Sequence, residues 1–402
     1  MRSLICINQY TTQLFADVVN ELSRHSPGVR LISGRIEDLE SPLSERVSRT
    51  RFVSYRRERP LSRVITWAVF SLQTFFHLLF VPRPFALLVT SNPPVMPCLA
   101  ALIGYIRRAP LFLVIYDVYP EALVNFGRLR RGGLIHRLWE FCNRHVFRRA
   151  EAVFTISQSL CRSLAGYIPR DRQKDLHVVP CWVDSDFIRP LDKASNGFLE
   201  NHDLQGYFIV LYSGNLGATH DINSILQVAG ILRDYEKIMF LIIGSGAQQA
   251  MVADYTRQHR LPNLKLLPRQ PAAMIPLTFG AADIGIVTLG QGAEMLSVPS
   301  KTYYYLAAGV PVLAISEEGS ELENLVQECR VGEVFNPGEY RKMADFVLDL
   351  YLKPDRRTEL SHRARNTALL HTKANAAAFY STISEKLPTL RSVRHTATVH
   401  DQ

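Results

Sequence analysis

The chain has 402 residues, of which 47% are hydrophobic and 21% charged. This composition is typical of folded globular proteins and excludes a largely disordered chain. Its length favours two domains over a single core. Six scattered cysteines form no CxxC pair and no Cys/His cluster, which argues against a structural zinc site and for a reducing compartment.

Positive charge is concentrated in the first half of the chain. Residues 1–190 carry 26 Lys and Arg against 15 Asp and Glu, whereas the remainder carries 20 against 22. A basic half indicates a polyanionic partner, either an anionic membrane surface or nucleic acid. No RNA- or DNA-binding motif is present, so we expect no nucleic-acid partner.

The first half reads as short apolar runs separated by helical stretches, which predicts a parallel sheet covered on both faces. The predicted strands are residues 3–7, 28–32, 85–90, 111–116, 151–156 and 177–180. We therefore expect a Rossmann-like domain over residues 1–185.

After a linker at residues 181–192 the pattern restarts. Further strands are predicted at residues 207–213, 238–243, 263–267, 283–288 and 311–315. This indicates a second Rossmann-like domain over residues 190–372. A C-terminal helix over residues 374–387 is expected to return to the first domain, followed by a flexible tail at residues 388–402. The fold class is α/β, with two doubly wound domains facing a central cleft, where such sheets bind ligands.

The longest apolar run is residues 64–82, whose nineteen residues nearly suffice to cross a bilayer. Three interpretations stay open: a buried helix, a helix lying in the membrane interface, and a spanning helix. A spanning helix would separate strands 3–7 and 85–90, which should share one sheet.

Two arginine-rich segments favour the interfacial interpretation. Residues 46–63 carry seven Arg and one Glu, and residues 128–149 carry seven more Arg with one Glu. Basic residues near an anionic leaflet contribute about 1 kcal/mol each. The sequence therefore predicts reversible attachment to an anionic inner-membrane surface, with a solvated basic face as the alternative.

The stretch SVPSKTYYYLAAGVPVLA, residues 297–314, predicts an anion site. It reads as a loop, a helix, a Gly-Pro turn and a short strand. Ser297, Val298 and Pro299 lead to a helix start with Ser300 and Lys301 in its first turn. Free amides, hydroxyls and an ammonium group at a helix start favour a diphosphate.

Glycine-rich loops follow two consecutive strands of the second domain and allow backbone amides to approach a phosphate. With the stretch above they predict a nucleotide-diphosphate pocket, tight turns alone being the alternative. The diphosphate and sugar contacts are assigned to Gly214, Asn215, Gly217 and His220, and the nucleoside contacts to Gly244, Ser245, Gly246 and Arg269.

On the facing domain, strand 111–116 runs into Asp117, a candidate catalytic or acceptor-contacting carboxylate. The alternative is that Asp117 caps the following helix. Asn92, Tyr119 and Glu121 are the other candidate acceptor contacts. The Asp184-Ser185-Asp186 sequence lies in the linker and is interpreted as a turn or cap, so no metal site is predicted.

These motifs together resemble the bacterial glycosyltransferases of family four, which have the GT-B fold. The resemblance is carried by LYSGNLG, LIIGSG and VPSKTYYYLAAGVPVLA in that order, preceded by VPCWVDSDFIRP. The most similar branch builds exopolysaccharide, O-antigen and colanic-acid-type units. The resemblance implies a nucleotide-sugar donor on the second domain and transfer with retention and without a metal.

The chain departs from the family pattern around the donor. Asn215 and His220 replace an Arg and a Lys found in many members, and Lys301 stands where the second glutamate of the family signature is expected. The first glutamate would fall at Ala293, next to Glu294. Lys301, Glu294 and Asp117 are therefore the candidate catalytic residues, with Lys301 supplying the positive charge.

The expected function is a metal-independent retaining glycosyltransferase of cell-surface polysaccharide biosynthesis, with no cofactor besides its donor. The expected acceptor is a polyprenyl-diphosphate-linked or free saccharide, and the expected location is the cytoplasmic face of the plasma membrane. A nucleotide-sugar 2-epimerase on the same fold is one alternative. A non-catalytic, membrane-docked scaffold that binds a nucleotide sugar is the other.

Overall fold

The structure, a computed structural model, describes residues 3–56, 60–125, 127–217, 220–290 and 299–388. Within these residues the chain forms two α/β domains, each built on its own parallel sheet. Every strand pairing in both sheets is parallel. This arrangement requires a crossover connection between successive strands.

The first domain contains a sheet in the order β5-β3-β1-β6-β7-β8-β9, with β2 paired separately to β4. Its inner strands are buried apolar runs, as expected when helices cover both faces. In chain order the strands are β1 (Ser3–Ile7), β2 (Tyr10–Thr11), β3 (Val29–Ser33), β4 (Arg35–Ile36), β5 (Ser48–Arg51), β6 (Phe85–Thr90), β7 (Leu111–Ile115), β8 (Ala152–Thr155) and β9 (Leu176–Val178).

Helices cover both faces of this first sheet. The first six are α1 (Gln13–His25), α2 (Pro60–Phe80), α3 (Met96–Arg107), α4 (Glu121–Asn125), α5 (Leu134–Arg149) and α6 (Gln158–Ala165). One core joins the sheet to α1 through Phe15. The opposite core joins it to α2, α3 and α5 through Phe70, Ile103 and Val146.

The second domain repeats the plan with the strand order β12-β11-β10-β13-β14-β15. The strands are β10 (Phe208–Ser213), β11 (Ile238–Ile243), β12 (Leu264–Leu267), β13 (Ile284–Thr288), β14 (Val312–Ile315) and β15 (Gly332–Phe335). Its helices are α7 (Gly197–Asn201), α8 (Ile222–Ile231), α9 (Gln249–His259), α10 (Ile275–Gly280), α11 (Lys301–Ala307), α12 (Glu321–Cys329), α13 (Tyr340–Leu352) and α14 (Pro354–Leu369).

The last helix, α15 (Ala377–Lys386), returns to the first domain. The Phe379 ring stacks on Phe154 of β8 with 4.4 Å between centroids, and the Tyr380 ring stacks on His25 of α1 at 4.0 Å. Two doubly wound domains and a returning C-terminal helix were predicted, and this fold is confirmed.

Helix α2 is not the buried helix that one interpretation of its sequence offered. Its polar residues Thr66, Ser71 and Thr74 face the domain, whereas Leu72 and Phe76 are more than half exposed. By length and composition, Leu61–Phe80 is the one helix among the described residues that could cross a membrane, and only 28% of its apolar window is buried. The strands before and after α2, β5 and β6, belong to one sheet, so a spanning α2 would require this sheet to come apart.

Candidate functional site

The predicted anion site is built around α11, which begins at Lys301 and has only seven residues. Ser300 is its N-cap and makes no side-chain capping bond. Tyr305 anchors the helix, because its hydroxyl donates to Leu211 O at 2.8 Å and accepts from Ser213 N at 3.0 Å. A helix this short has a small dipole, so the ammonium group of Lys301 supplies most of the positive charge here.

The ammonium group of Lys301 is buried and unpaired. Its Nζ lies 3.9 Å from the centroid of the Tyr212 ring and has no hydrogen-bond partner among the described residues. Burial lowers the pKa of Lys301 to about 7. A Cβ on Gly214 would lie 2.9 Å from Nζ. An unpartnered buried cation is costly unless an anion binds beside it.

The two glycine loops pack directly on each other, which was not expected from the sequence. A Cβ on Gly244 would lie 1.8 Å from Gly214 O, and one on Gly246 would lie 2.5 Å from Leu216 O. The amides of Gly214 and Leu216 donate to Ile243 O and Ser245 O, and that of Gly244 donates to Leu267 O. The amides of Gly214 and Gly244 thus extend the hydrogen-bond pattern of the sheet and are not free for a phosphate, while the donor contacts assigned to these loops stay a prediction.

Asn215, Gly217 and His220 continue the first loop beside Lys301. Gln248 fixes this loop, since its Nε2 donates to Gly217 O at 2.5 Å and to His220 O at 2.9 Å. Burial, and then the charge of Lys301, lower the pKa of His220 to about 4. His220 is therefore neutral at pH 7, so Lys301 is the cationic side chain among the described residues predicted to contact the diphosphate.

The rest of the predicted donor set is only partly described. Pro299 is buried and Ser300 is exposed at the start of α11. Glu294, Ser297 and Val298 lie outside the described residues, so their predicted roles stay predictions.

Asp117 lies two residues beyond the end of β7 in the first domain. Its carboxylate is open to solvent and bonds to no other described residue, so the capping alternative finds no support. Although the residue is exposed at the surface, the protein packed around its carboxyl group partly desolvates it and raises the pKa of Asp117 to about 6. Ser91 Oγ accepts from the amides of Tyr116 and Asp117, at 3.1 and 3.4 Å, and so joins this loop to Asn92 at the end of β6.

Tyr119 and Glu121 have different surroundings. The Tyr119 ring stacks on Trp139 at 6.0 Å, and its pKa is raised, first by burial and then by Asp117. Glu121 instead accepts a hydrogen bond from the Tyr167 hydroxyl. An acceptor contact by Tyr119 stays a prediction. For Glu121, an acceptor would have to displace the hydroxyl of Tyr167.

Arg269 has an interdomain partner that its sequence did not indicate. Its guanidinium forms an ion pair with Glu37 of the first domain. Nearby, Asp38 Oδ2 accepts from Ala272 N at 2.9 Å and Glu40 accepts from the Tyr304 hydroxyl. A nucleoside contact by Arg269 stays a prediction, while the structure uses this side chain to join the domains.

The strand orders place the two groups of candidate residues opposite each other. Glu37 and Asp38 join the loop after β4 to the loop after β12, and Glu40 joins it to α11. Glu321 Oε1, after β14, accepts from Ser159 N, after β8, at 2.6 Å. Between these contacts, the ends of β6 and β7 carry Asn92 and Asp117, and those of β10 and β13 lead to Gly214 and Lys301. Carboxyl edges of doubly wound sheets are where ligands bind.

Metal ligation was not predicted, and the described residues offer no group of three His, Cys, Asp or Glu side chains that could hold an ion. Asp184 behaves as a cap, since its Oδ1 accepts from the amides of Asp186 and Phe187, both at 3.1 Å.

Sequence reasoning missed Tyr212 beneath Lys301 and Gln248 behind the first loop. Tyr212 carried no signal, because it reads as one more buried strand residue.

Comparisons with known proteins agree with this architecture. A family model described as glycosyl transferases group 1 matches residues 199–367. WbjE of Pseudomonas aeruginosa, described as a probable glycosyltransferase, is 26% identical over 242 residues, which are 60% of each chain. WcaI of Escherichia coli K12, a glycosyl transferase assigned to colanic acid biosynthesis, is 25% identical over 274 residues, which are 66% of each chain. The chain thus spans just under two thirds of the length of these relatives.

A solved structure extends the agreement to the whole fold. HepE of Anabaena, crystallised with UDP-glucose, superposes with a TM-score of 0.70 at 14% identity and covers 96% of this chain and 100% of its own. The comparisons give no support to the epimerase alternative. Residues 199–367 of this chain are therefore similar to the group 1 glycosyl transferases, and the described residues have the two-domain GT-B fold.

Proposed function

We propose that the protein is a retaining, metal-independent glycosyltransferase that uses a nucleotide-diphosphate sugar in cell-surface polysaccharide biosynthesis. The observation that carries this proposal is the buried, unpartnered ammonium of Lys301 at the carboxyl edge of the second sheet. The family match lies in the same domain, and WcaI is assigned to polysaccharide biosynthesis.

Lys301 is proposed to bind the donor diphosphate and stabilise it as it leaves. A bound anion favours the protonated form of a lysine, so donor binding raises the pKa of Lys301 above its ligand-free value of about 7. Negative charge then builds on the diphosphate as the glycosidic bond breaks. A preorganised cation at that place is usually a large part of catalysis, and here it takes the place of a divalent metal.

Transfer is proposed to occur on one face of the sugar. The bond between the anomeric carbon and the diphosphate oxygen breaks while the acceptor oxygen bonds to that carbon from the same side. The acceptor proton passes to the leaving diphosphate, so the products are a nucleoside diphosphate and a glycoside with retained configuration. Asp117, facing Lys301 from the first domain, orients the acceptor hydroxyl.

The direct test is a panel of nucleotide sugars offered with lipid-diphosphate-linked and free saccharide acceptors. We expect acceptor-dependent release of one nucleoside diphosphate, undiminished by EDTA, and a product whose anomeric configuration matches the donor by NMR. An inverted product or loss of activity in EDTA would contradict the mechanism. Silence with every donor would favour a non-catalytic scaffold, and donor conversion without acceptor would favour an epimerase.

A peripheral location on the inner membrane is proposed from an apolar face of the first domain. This face is formed by exposed residues of three neighbouring helices: Leu61, Ile65, Leu72, Phe76 and Phe80 of α2, Leu102 and Ile106 of α3, and Leu134, Leu138 and Phe141 of α5. Arg63 of α2 and the arginines of segment 128–149 adjoin it in sequence, whereas Arg49 and Arg51 of segment 46–63 lie on β5. An apolar face with basic neighbours is typical of attachment to anionic bilayers.

Liposome flotation tests this location. Wild-type protein should float with vesicles containing phosphatidylglycerol and much less with phosphatidylcholine alone. Leu72→Asp with Phe76→Asp should abolish flotation, because two carboxylates would enter the apolar face. Leu352→Asp with Leu370→Asp, at exposed apolar positions of the second domain, is the matched control and should float normally. Indifference to lipid charge or to the first variant would contradict the proposal.

A further inference from the structure

A cavity with a mixed apolar and basic lining lies in the first domain, at the open edge of its sheet. It measures about 580 Å³ and is lined by Leu31, Ser33, Arg35, Ile36, Arg49 and Arg51, among others. Small-molecule sites run from about 300 to 1,000 Å³, so the cavity has the size of a ligand site. None of these residues belongs to the predicted donor or acceptor set.

The register of β3 and β5 explains why two arginines point into this cavity. Arg49 pairs with Leu31 and Arg51 with Ser33. Residues two apart on a strand share one face of the sheet, so all four side chains project to the same side. Gly34 closes the end of β3, where a Cβ would lie 2.2 Å from Val53 O.

The charges in the cavity are uncompensated. The lining contains three arginines and no carboxylate. Arg49 donates to Leu43 O at 3.1 Å, and Arg35 lies 6.0 Å from the Tyr10 ring centroid. Neither contact neutralises charge, and none of the three arginines forms an ion pair with a described carboxylate. The three arginines are exposed, so water screens their mutual repulsion, and an anion with several oxygens can accept hydrogen bonds from more than one of them.

The cavity and the apolar face formed by α2, α3 and α5 lie on opposite sides of the first sheet. Leu31, in its lining, packs in the core shared with α1, whereas its neighbour Ile32 packs in the core shared with α2. A bilayer touching α2, α3 and α5 would therefore lie on the other side of the sheet. This separation favours a ligand in solution over a lipid headgroup.

We infer that the cavity lined by Arg35, Arg49 and Arg51 binds the phosphoryl group of a soluble, multiply charged ligand, such as a diphosphate. Arginine presents several N–H donors in a planar fork that matches phosphate oxygens, and three such forks suit a diphosphate better than a single carboxylate. The site is separate from Lys301 and does not depend on the transfer reaction.

Titration calorimetry of the full chain with inorganic pyrophosphate tests the inference. We expect two sites in the wild type and one in Lys301→Met. In the Lys301→Met background, Arg49→Glu with Arg51→Glu should weaken the remaining site roughly tenfold or more. Arg46→Glu with Arg56→Glu changes the charge of the same segment equally outside the cavity and should leave the Kd within about twofold.

The results of this titration distinguish a failure of the cavity inference from a failure of the proposed function. If the remaining site is unchanged by the Arg49 and Arg51 substitutions, or equally weakened by the control, the inference is overturned. If those substitutions affect only flotation with phosphatidylglycerol vesicles, a lipid headgroup is the ligand and the soluble source is refuted. Loss of the Lys301-dependent site alone would concern the proposed function and not this cavity. Arg49→Gln with Arg51→Gln provides the same test if the glutamate variant does not fold.

Discussion

Replacing Lys301 with methionine should make the ligand-free protein more stable while removing donor binding. The ordinary lysine pKa of 10.5 falls to about 7 at this site. At about 1.4 kcal/mol per pH unit, the buried ammonium costs about 5 kcal/mol when protonated. Its cation–π contact with the Tyr212 ring, at 3.9 Å from the centroid, offsets about 2 kcal/mol of this cost. Methionine keeps the apolar stem, so a net gain of about 2 to 3 kcal/mol is expected near pH 7.

The sign of the pH dependence follows from the lowered pKa. Below pH 7 the lysine is protonated in both the folded and unfolded states, so the full cost is present. Between pH 7 and 10.5 the unfolded state binds more protons, so wild-type stability rises with pH. The advantage of Lys301→Met should therefore shrink as the pH approaches 10.

Differential scanning calorimetry at pH 7 and 9.5 measures this effect. For a domain of this size the gain corresponds to roughly 5 to 10 °C in Tm at pH 7. A nucleoside diphosphate at 100 times its Kd should stabilise the wild type by about 2.7 kcal/mol and the variant hardly at all. Lys342→Met, at an exposed position, should change stability by less than about 0.5 kcal/mol. A Lys301→Met protein that is less stable than wild type, or equally stabilised by ligand, would refute the reasoning.

Three further predictions concern the loops, the domain interface and the acceptor side. Gly244→Ala should cost about 3 kcal/mol or more in urea unfolding, because its Cβ would meet Gly214 O at 1.8 Å. Gly230→Ala, in α8 with open space around it, should gain up to about 1 kcal/mol; equal effects would contradict the packing argument. Burial raises the pKa of Glu40 to about 7, so Glu40→Gln should add up to about 3 kcal/mol at pH 8 and nothing at pH 4; a gain independent of pH would count against it. Asp117→Asn should lower kcat roughly tenfold or more, remove the change in rate near pH 6 from the pH–rate profile, and leave donor affinity unchanged. An unaltered pH–rate profile would exclude a role for Asp117 in orienting the acceptor hydroxyl.

The sequence predicted the buried strands within one or two residues, because continuous apolar runs between polar stretches mark strands covered on both faces. It missed β15 (Gly332–Phe335) and the short strands β2 and β4. It also missed β5, whose residues SRTR carry no apolar signal. That strand forms because it pairs with β3 at the sheet edge, and arginines there discourage pairing with other chains. Pairing partners are a tertiary property and are not encoded in a four-residue window.

The donor site stays a prediction, and the sequence indicated residue types but not contacts. Lys301 Nζ is buried without a hydrogen-bond partner among the described residues, whereas the amides of Gly214 and Gly244 donate to Ile243 O and Leu267 O at the ends of neighbouring strands. Glycine at a strand end signals close approach of some backbone, but the sequence does not say whether a ligand or another loop approaches. The orientation of α2 was likewise open, because amphipathicity shows two faces without saying which one meets the sheet.

The return of α15 to the first domain determines how the two domains can move. The chain crosses between domains twice, and the crossings touch, since Val183 N donates to His371 O at 3.1 Å and Lys373 Nζ lies 2.6 Å from Asp184 Oδ2. Two adjacent covalent links favour bending about the line through them over other relative motions. We therefore expect the cleft to open as a hinge rather than by sliding or free rotation, once contacts that bridge it, such as Arg269 with Glu37, are broken. Cleavage of either link would release that restriction without touching a residue of the cleft.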